Sequence, residues 1–129
     1  MERRARILLV DDDPDFVEAT KVVLQSQPYE VITALSGREG LKKAREEKPD
    51  LVLLDIIMPD VDGFQVCQQL KKDPQLSRIP VIMITSFSEK YMETSLGVSQ
   101  GLNLEAEDFV DKPVAPAELL VRVAKWLKK

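Results

Sequence analysis

Four aspartates stand where apolar runs stop. Asp11, Asp12 and Asp13 follow Ile7-Leu8-Leu9-Val10, and Asp55 follows Leu51-Val52-Leu53-Leu54. Two strand-like runs that both end in carboxylates imply a cleft where strand ends converge and negative charge is collected. Like charges about 4 Å apart repel by roughly 1 kcal/mol in water and roughly 4 kcal/mol at an effective dielectric of 20. A hard divalent cation is the usual remedy, and an all-oxygen donor set favours Mg²⁺, Mn²⁺ or Ca²⁺ over softer metals. Two more runs end in useful groups: Val81-Ile82-Met83-Ile84 stops at Thr85, and Phe109-Val110-Asp111 stops at Lys112. Carboxylates, a hydroxyl and an ammonium together suit phosphate chemistry.

An aspartate beside a divalent ion can attack phosphorus and form an acyl phosphate. Such transfer depends on in-line positioning and charge neutralisation more than on acid–base groups. The chain contains no histidine. That is no obstacle here, and it removes Ser-His-Asp triads and His-ligated zinc. In this scheme Lys112 and the metal neutralise phosphoryl oxygens, while the Thr85 hydroxyl donates a hydrogen bond to one of them.

The elements that must position these groups alternate in type. Asp13-Pro14 reads as a helix N-cap followed by proline at the first helical position. Phe16, Thr20, Val23, Leu24 and Gln27 then share one helical face until Pro28. Tyr29–Ala34 reads as a strand. Ser36-Gly37-Arg38-Glu39 has capping-box spacing and opens a second helix, which Pro49 ends. A third strand covers Leu51–Leu54, and Phe64, Cys67 and Leu70 mark a third helix closed before Pro74. A fourth strand covers Val81–Ile84. The stretch 86–108 is the least legible, with a helix expected over Glu89–Gln100. A fifth strand covers Phe109–Asp111, and a last helix runs from Pro116 with Leu120, Val123, Ala124 and Leu127 at helical spacing. Five such units with continuously apolar strands predict an α/β fold, a doubly wound (βα)5 sandwich around a five-stranded parallel sheet. Ligands of such folds sit at the carboxyl ends of the strands. All the polar residues named above lie there.

At 129 residues the chain has the length of one domain. Its net charge of −4 offers no basic field, so no nucleic-acid partner is expected. The single cysteine, Cys67, excludes an internal disulfide and fits a reducing compartment. No apolar stretch approaches the roughly 20 residues of a membrane span, and the basic start lacks the apolar core of a signal peptide. The expectation is a cytoplasmic protein with no membrane partner.

Four motifs stand in order at the ends of strands one, three, four and five. They are Ile7-Leu8-Leu9-Val10-Asp11-Asp12-Asp13; Leu53-Leu54-Asp55-Ile56-Ile57-Met58-Pro59-Asp60-Val61-Asp62-Gly63; Ile84-Thr85-Ser86; and Phe109-Val110-Asp111-Lys112-Pro113. With this set the chain resembles the receiver domain of two-component response regulators, the CheY-like family. The resemblance implies a flavodoxin-like strand order 2-1-3-4-5 and a single receiver domain over residues 1–129; no output domain is expected in this chain, which is either a stand-alone protein or the receiver portion of a longer one. It implies that Asp55 is the phosphoacceptor. Asp11 and Asp12 would hold Mg²⁺, or Mn²⁺ in its place, with the Asp55 carboxylate and the Ile57 backbone carbonyl. Thr85 and Lys112 would contact the phosphoryl group, Phe109 would be the aromatic whose rotamer follows Thr85, and Lys112-Pro113 would be cis. The phosphoryl group would come from a histidine kinase or phosphotransfer protein. The readout would be a downstream protein docking on the face made by the fourth helix, fifth strand and fifth helix. Such a chain phosphorylates and dephosphorylates itself with Mg²⁺ and is no turnover enzyme.

The chain departs from the family between Thr85 and Lys112. These lie 27 positions apart, roughly five more than usual for the family, and Glu105-Ala106 replaces the common Gly-Ala; longer or shifted connections are expected there. Other acidic residues have plainer readings. Asp13 is expected as a helix cap, and Asp60 and Asp62 as turn residues, with Gly63 supplying positive φ. A calcium loop around Asp60-Val61-Asp62-Gly63 fails, since its first and twelfth positions would be Met58 and Gln69. The alternative function is a haloacid-dehalogenase-like phosphohydrolase with an aspartyl-phosphate intermediate, opened by Asp11-x-Asp13. It leaves Asp55 unused, and Pro14-Asp15 stand where that family has Thr or Val.

Overall fold

The computed structural model describes residues 4–56, 58–85 and 106–127, with Thr85 described in its backbone only. Strands β1 (Arg6–Val10), β2 (Glu30–Ala34), β3 (Leu51–Asp55), β4 (Val81–Thr85) and β5 (Asp108–Asp111) form one sheet in the order β2-β1-β3-β4-β5. Every pairing is parallel. The described helices are α1 (Pro14–Gln25), α2 (Gly37–Glu47), α3 (Gly63–Lys72) and α4 (Pro116–Leu127). The helix expected over Glu89–Gln100 lies outside the described residues.

The pleat sorts the apolar strands into two cores. Leu8, Val10, Val52, Leu54, Val81 and Met83 point to the side covered by α2 and α3, where Leu41, Ala44, Val66, Cys67 and Leu70 meet them. Ile7, Leu9, Leu51, Leu53, Ile82 and Ile84 point the other way, onto Val17 and Leu24 of α1 and Leu119 and Val123 of α4. Each fully buried Leu, Ile or Val is worth about 1.5–3 kcal/mol relative to exposure. This two-sided burial is why the central strands carry no polar alternation.

Helix starts follow the sequence chemistry. Asp13 caps α1, its carboxylate accepting from Asp15 N (3.0 Å) and Phe16 N (3.4 Å), with Pro14 in the first turn. Ser36 caps α2 by accepting from Glu39 N at 3.1 Å, while Glu39 reaches back to Leu35 N rather than to the cap residue itself. Lys48 closes α2 in the left-handed region at φ 46°. Asp62 caps α3 through Gln65 N at 2.9 Å.

Two helices are rotated relative to expectation. The innermost line of α1 is Val17, Thr20 and Leu24, flanked by half-buried Phe16 and Val23; Gln27 lies beyond the helix and is exposed. In α4 the buried pair is Leu119 and Val123, and Leu120, Ala124 and Leu127 are only half-buried. Both helices carry apolar stripes wider than the buried line, so spacing alone left the rotation open by about one residue. Strand β2 starts a residue later than expected, at Glu30, while β3 and β4 overrun expectation by a residue. Asp55 pairs with Ile84, Thr85 pairs with Asp111, and Ile56 N still donates to Ile84 O at 3.1 Å.

At the opposite end of the sheet a buried clasp sets where β4 and β5 begin. The Lys71 ammonium, only 6% exposed, donates to Ile79 O (2.9 Å), Ser77 O (3.3 Å) and both Glu107 oxygens (3.0 and 3.1 Å). Glu107 Oε1 accepts in turn from Val81 N at 2.7 Å. No helix among the described residues is long and apolar enough to cross a membrane.

Candidate functional site

The carboxyl ends of β1, β3 and β5 bring Asp11, Asp12, Asp55 and Lys112 into one cleft. One carboxylate oxygen from each aspartate lies within 4.8 Å of the others. Asp11 is fully buried, Asp55 is 3% exposed, and Asp12 stands exposed at the rim. Asp11 Oδ1 accepts from Asp13 N at 2.9 Å. Its Oδ2 is buried and lies 2.8 Å from Lys112 Nζ. A carboxylate oxygen carries two acceptor sites, so beside the ammonium it has a lone pair to give. Together with the two neighbouring carboxylates it fits a hard divalent cation.

Electrostatics in the cleft follow from burial. Asp55 sits at the end of a fully buried strand, and loss of solvent, followed by the Asp11 charge, pushes its carboxyl up to about 6. Lys112 Nζ, 3.7 Å from Asp55 Oδ1, pulls the other way. Burial would lower the Lys112 ammonium, but the Asp11 and Asp55 carboxylates outweigh it and hold it above its ordinary value. Near neutral pH Asp55 is therefore ionised, as a nucleophilic carboxylate must be. It is also poorly compensated until a further cation arrives.

The loop after Asp55 is pinned at both ends. Gly63 N donates to Ile56 O at 2.7 Å, and a Cβ on Gly63 would stand 2.7 Å from Ile56 Cα and closer still to the Asp55 carbonyl oxygen. Glycine is required there by this close approach, and the positive φ expected of it is not found. Asp60 is more than a turn residue: its carboxylate accepts from Arg38 N (3.0 Å) and Gly37 N (3.1 Å) at the start of α2. Those backbone donors, Arg38 first, hold its carboxyl below the ordinary range. A Cβ on Gly37 would meet Val61 O at 2.6 Å, so the loop and α2 are in backbone contact.

Of the remaining predicted residues, Phe109 lies in β5 beside Met83 with its side chain 36% exposed. The Thr85 backbone ends β4, while its hydroxyl and the Ile57 carbonyl lie outside the described residues. The Lys112-Pro113 bond is cis, as the resemblance implied. Asp13 is a helix cap, its Oδ1 accepting from two α1 backbone N–H groups, as expected. Phe16, read in the sequence only as part of the α1 inner face, lies with its ring centroid 4.2 Å from Lys112 Nζ, a contact that spacing does not show. Its place in the first turn after the aspartates was the available signal.

Comparison with known proteins agrees with this geometry. The family profile of the response regulator receiver domain matches residues 7–124. Similar curated proteins include the alkaline phosphatase synthesis transcriptional regulatory protein PhoP of Bacillus subtilis, 40% identical over 96% of this chain and 49% of PhoP. Protein PilH of Pseudomonas aeruginosa is 41% identical over 90% of this chain and 92% of its own length. The chain thus spans about half the length of the first curated relatives it matches, though nearly all of PilH. A CheY-like receiver domain protein from Methanospirillum hungatei superposes with a TM-score of 0.86 at 32% identity, covering 97% of this chain and 94% of that one. Nothing among these similarities supports a haloacid-dehalogenase-like hydrolase.

Proposed function

The chain belongs to the response regulator receiver domain family, the phosphoacceptor modules of two-component signalling, and from that premise we propose that Asp55 takes the phosphoryl group. One observation carries this reading: a buried Asp55 carboxylate at the end of β3 faces Lys112 and two further aspartates across one cleft. The donor is a phosphohistidine on a histidine kinase or phosphotransfer protein, or a small acyl phosphate. An Asp55 carboxylate oxygen attacks phosphorus in line. The bond to the donor's nitrogen or oxygen breaks, and its electron pair leaves with the donor. Asp11, Asp12 and Asp55, with the Ile57 carbonyl, would hold Mg²⁺ or Mn²⁺. That ion supplies charge neutralisation for the phosphoryl oxygens when bound.

Lys112 shares this task by turning its ammonium from the Asp11 and Asp55 oxygens to a phosphoryl oxygen. The Thr85 hydroxyl donates to another, and the Phe109 ring, which starts partly outside the core, follows it inward. The readout is partner binding at a face that includes β5 and α4. Phosphorylation acts on that face only by the difference in contacts it makes with the two packings. Self-phosphorylation and self-dephosphorylation, rather than turnover of a substrate, are the chemistry of the chain, and a cytoplasmic location fits a kinase donor.

The test is direct. With Mg²⁺ and acetyl phosphate, intact mass analysis should find one phosphoryl adduct on the wild type and none on Asp55→Asn. An adduct that survives in the Asn variant, or none on the wild type, overturns the assignment.

A further inference from the structure

Among the described residues, the Lys112 ammonium has two carboxylates and one aromatic ring close by. The carboxylates are those described above, Asp11 Oδ2 at 2.8 Å and Asp55 Oδ1 at 3.7 Å. The ring is that of Phe16, its centroid 4.2 Å from Nζ. Phe16 belongs to the first turn of α1 and is half-buried. With Lys112, Pro113 and Leu119 it walls a mainly apolar hollow of about 440 Å³ between α1 and α4. The separation is well inside the roughly 6 Å at which a ring face attracts an ammonium.

We propose that Phe16 is a positioning residue for phosphoryl transfer: its ring keeps the Lys112 ammonium in the cleft once a divalent ion has taken over the carboxylates. The inference rests on the phosphoacceptor reading of Asp55. In the metal-free cleft the two carboxylates suffice to hold Nζ. A divalent ion held by Asp11, Asp12 and Asp55 would compete with the ammonium for these carboxylates and repel it. Lysine has a flexible four-carbon stem and a strongly hydrated head, so nothing in the side chain itself prevents it from swinging into water. The ring face is the neighbour that a hard, hydrated metal ion does not compete for. It holds Nζ beside Asp55, within reach of incoming phosphoryl oxygens, and acts only through Lys112. An aliphatic residue fills the same space between α1 and α4 but has no face to offer a cation.

The experiment has two arms. The first reads the contact without any phosphodonor: NMR of the Lys112 ε-methylene protons. The ring should shield these protons in the metal-free protein, the shielding should persist at saturating Mg²⁺, and Phe16→Leu should abolish it. The second arm follows phosphorylation by acetyl phosphate at saturating Mg²⁺. Phe16→Leu should slow it about 3- to 10-fold, the range of a partly buried cation–π contact, and Phe16→Tyr should restore the rate. In a Lys112→Ala background Phe16→Leu should change nothing, which a merely structural role would not produce. Loss of the shielding when Mg²⁺ binds to the wild type overturns the proposal without recourse to any variant. So does a Leu variant that phosphorylates at the wild-type rate, or one whose defect persists without Lys112. A wild type that forms no Asp55 adduct sinks the phosphoacceptor reading instead, and the NMR arm still decides whether the ring holds Lys112.

Discussion

Replacing Asp55 by asparagine is expected to stabilise the metal-free protein at neutral pH, and to stabilise it less as the pH falls. The substitution keeps volume and removes one charge from a site 3% exposed. Burial first, then the Asp11 and Asp12 charges, raises the Asp55 carboxyl from 3.8 to about 6, against the pull of Lys112. A raised folded-state value means that the unfolded chain gives up this proton first. Below about pH 3.8 both states are protonated and the residue carries no penalty; the penalty grows between that value and 6, and is complete above it. Two pH units of difference correspond to about 3 kcal/mol at pH 7.5 and roughly half of that near pH 5. The Lys112–Asp11 ion pair at 2.8 Å survives the substitution, so the ammonium is not orphaned. Urea unfolding of both proteins with a chelator, at the two pH values, measures the difference. Mg²⁺ should then stabilise the wild type more than the Asn variant and close the gap. A variant no more stable than the wild type at pH 7.5, or a gain indifferent to pH, would refute the claim that repulsion and burial are stored at this carboxylate.

Two further outcomes follow from the scaffold. Gly63→Ala forces a methyl group against the Asp55 and Ile56 backbone, and should cost about 3 kcal/mol in urea unfolding while slowing adduct formation; wild-type behaviour would show that the loop yields freely. Lys71→Met removes the donor shared by the half-buried Glu107 carboxylate and the Ser77 and Ile79 carbonyls, with an expected loss of about 2–3 kcal/mol that adding Glu107→Gln partly restores; two independent losses would show that the clasp is not a coupled unit.

The sequence announces the cleft more clearly than it announces what surrounds it. A strand that ends in a carboxylate is visible because the apolar run and the charge are adjacent in the chain, and the two such ends, of β1 and β3, converge with Lys112 after β5 once the strands are parallel. Asp13, Ser36 and Asp62 are visible as caps for the same reason: cap and capped N–H groups lie within three residues. Asp60 is different. Its partners, Gly37 and Arg38, are more than twenty positions away, and no local pattern connects them. Gly63 was legible as a glycine with a reason, but the reason is contact with a strand end rather than a backbone angle. Phe16 shows the limit most clearly. Spacing with Thr20 says that it points inward, and nothing in spacing says that what lies inside is an ammonium. The Lys71 clasp, with its partner 36 residues on, was invisible for the same reason as Asp60.

Cleft and scaffold are coupled through which strand ends carry the charges. Asp11 and Asp55 end the inner strands β1 and β3, each buried along its apolar length, so their carboxylates cannot move apart to relieve repulsion. Lys112 follows β5, which is the edge of the sheet, and is the partner that can move. Beyond the sheet, β5 is held by Asp108, whose carboxylate takes Arg122 at 2.6 Å and the Trp126 indole N–H at 3.0 Å from α4. A change in what Lys112 contacts is therefore transmitted first to an edge strand and to the helix tied to it. The inner strands fix where the carboxylates stand, and the edge is where a change in the ammonium's partner can alter shape. In a fold with Lys112 on an inner strand, a new anion at Asp55 would attract the same ammonium but would have no edge element to act on.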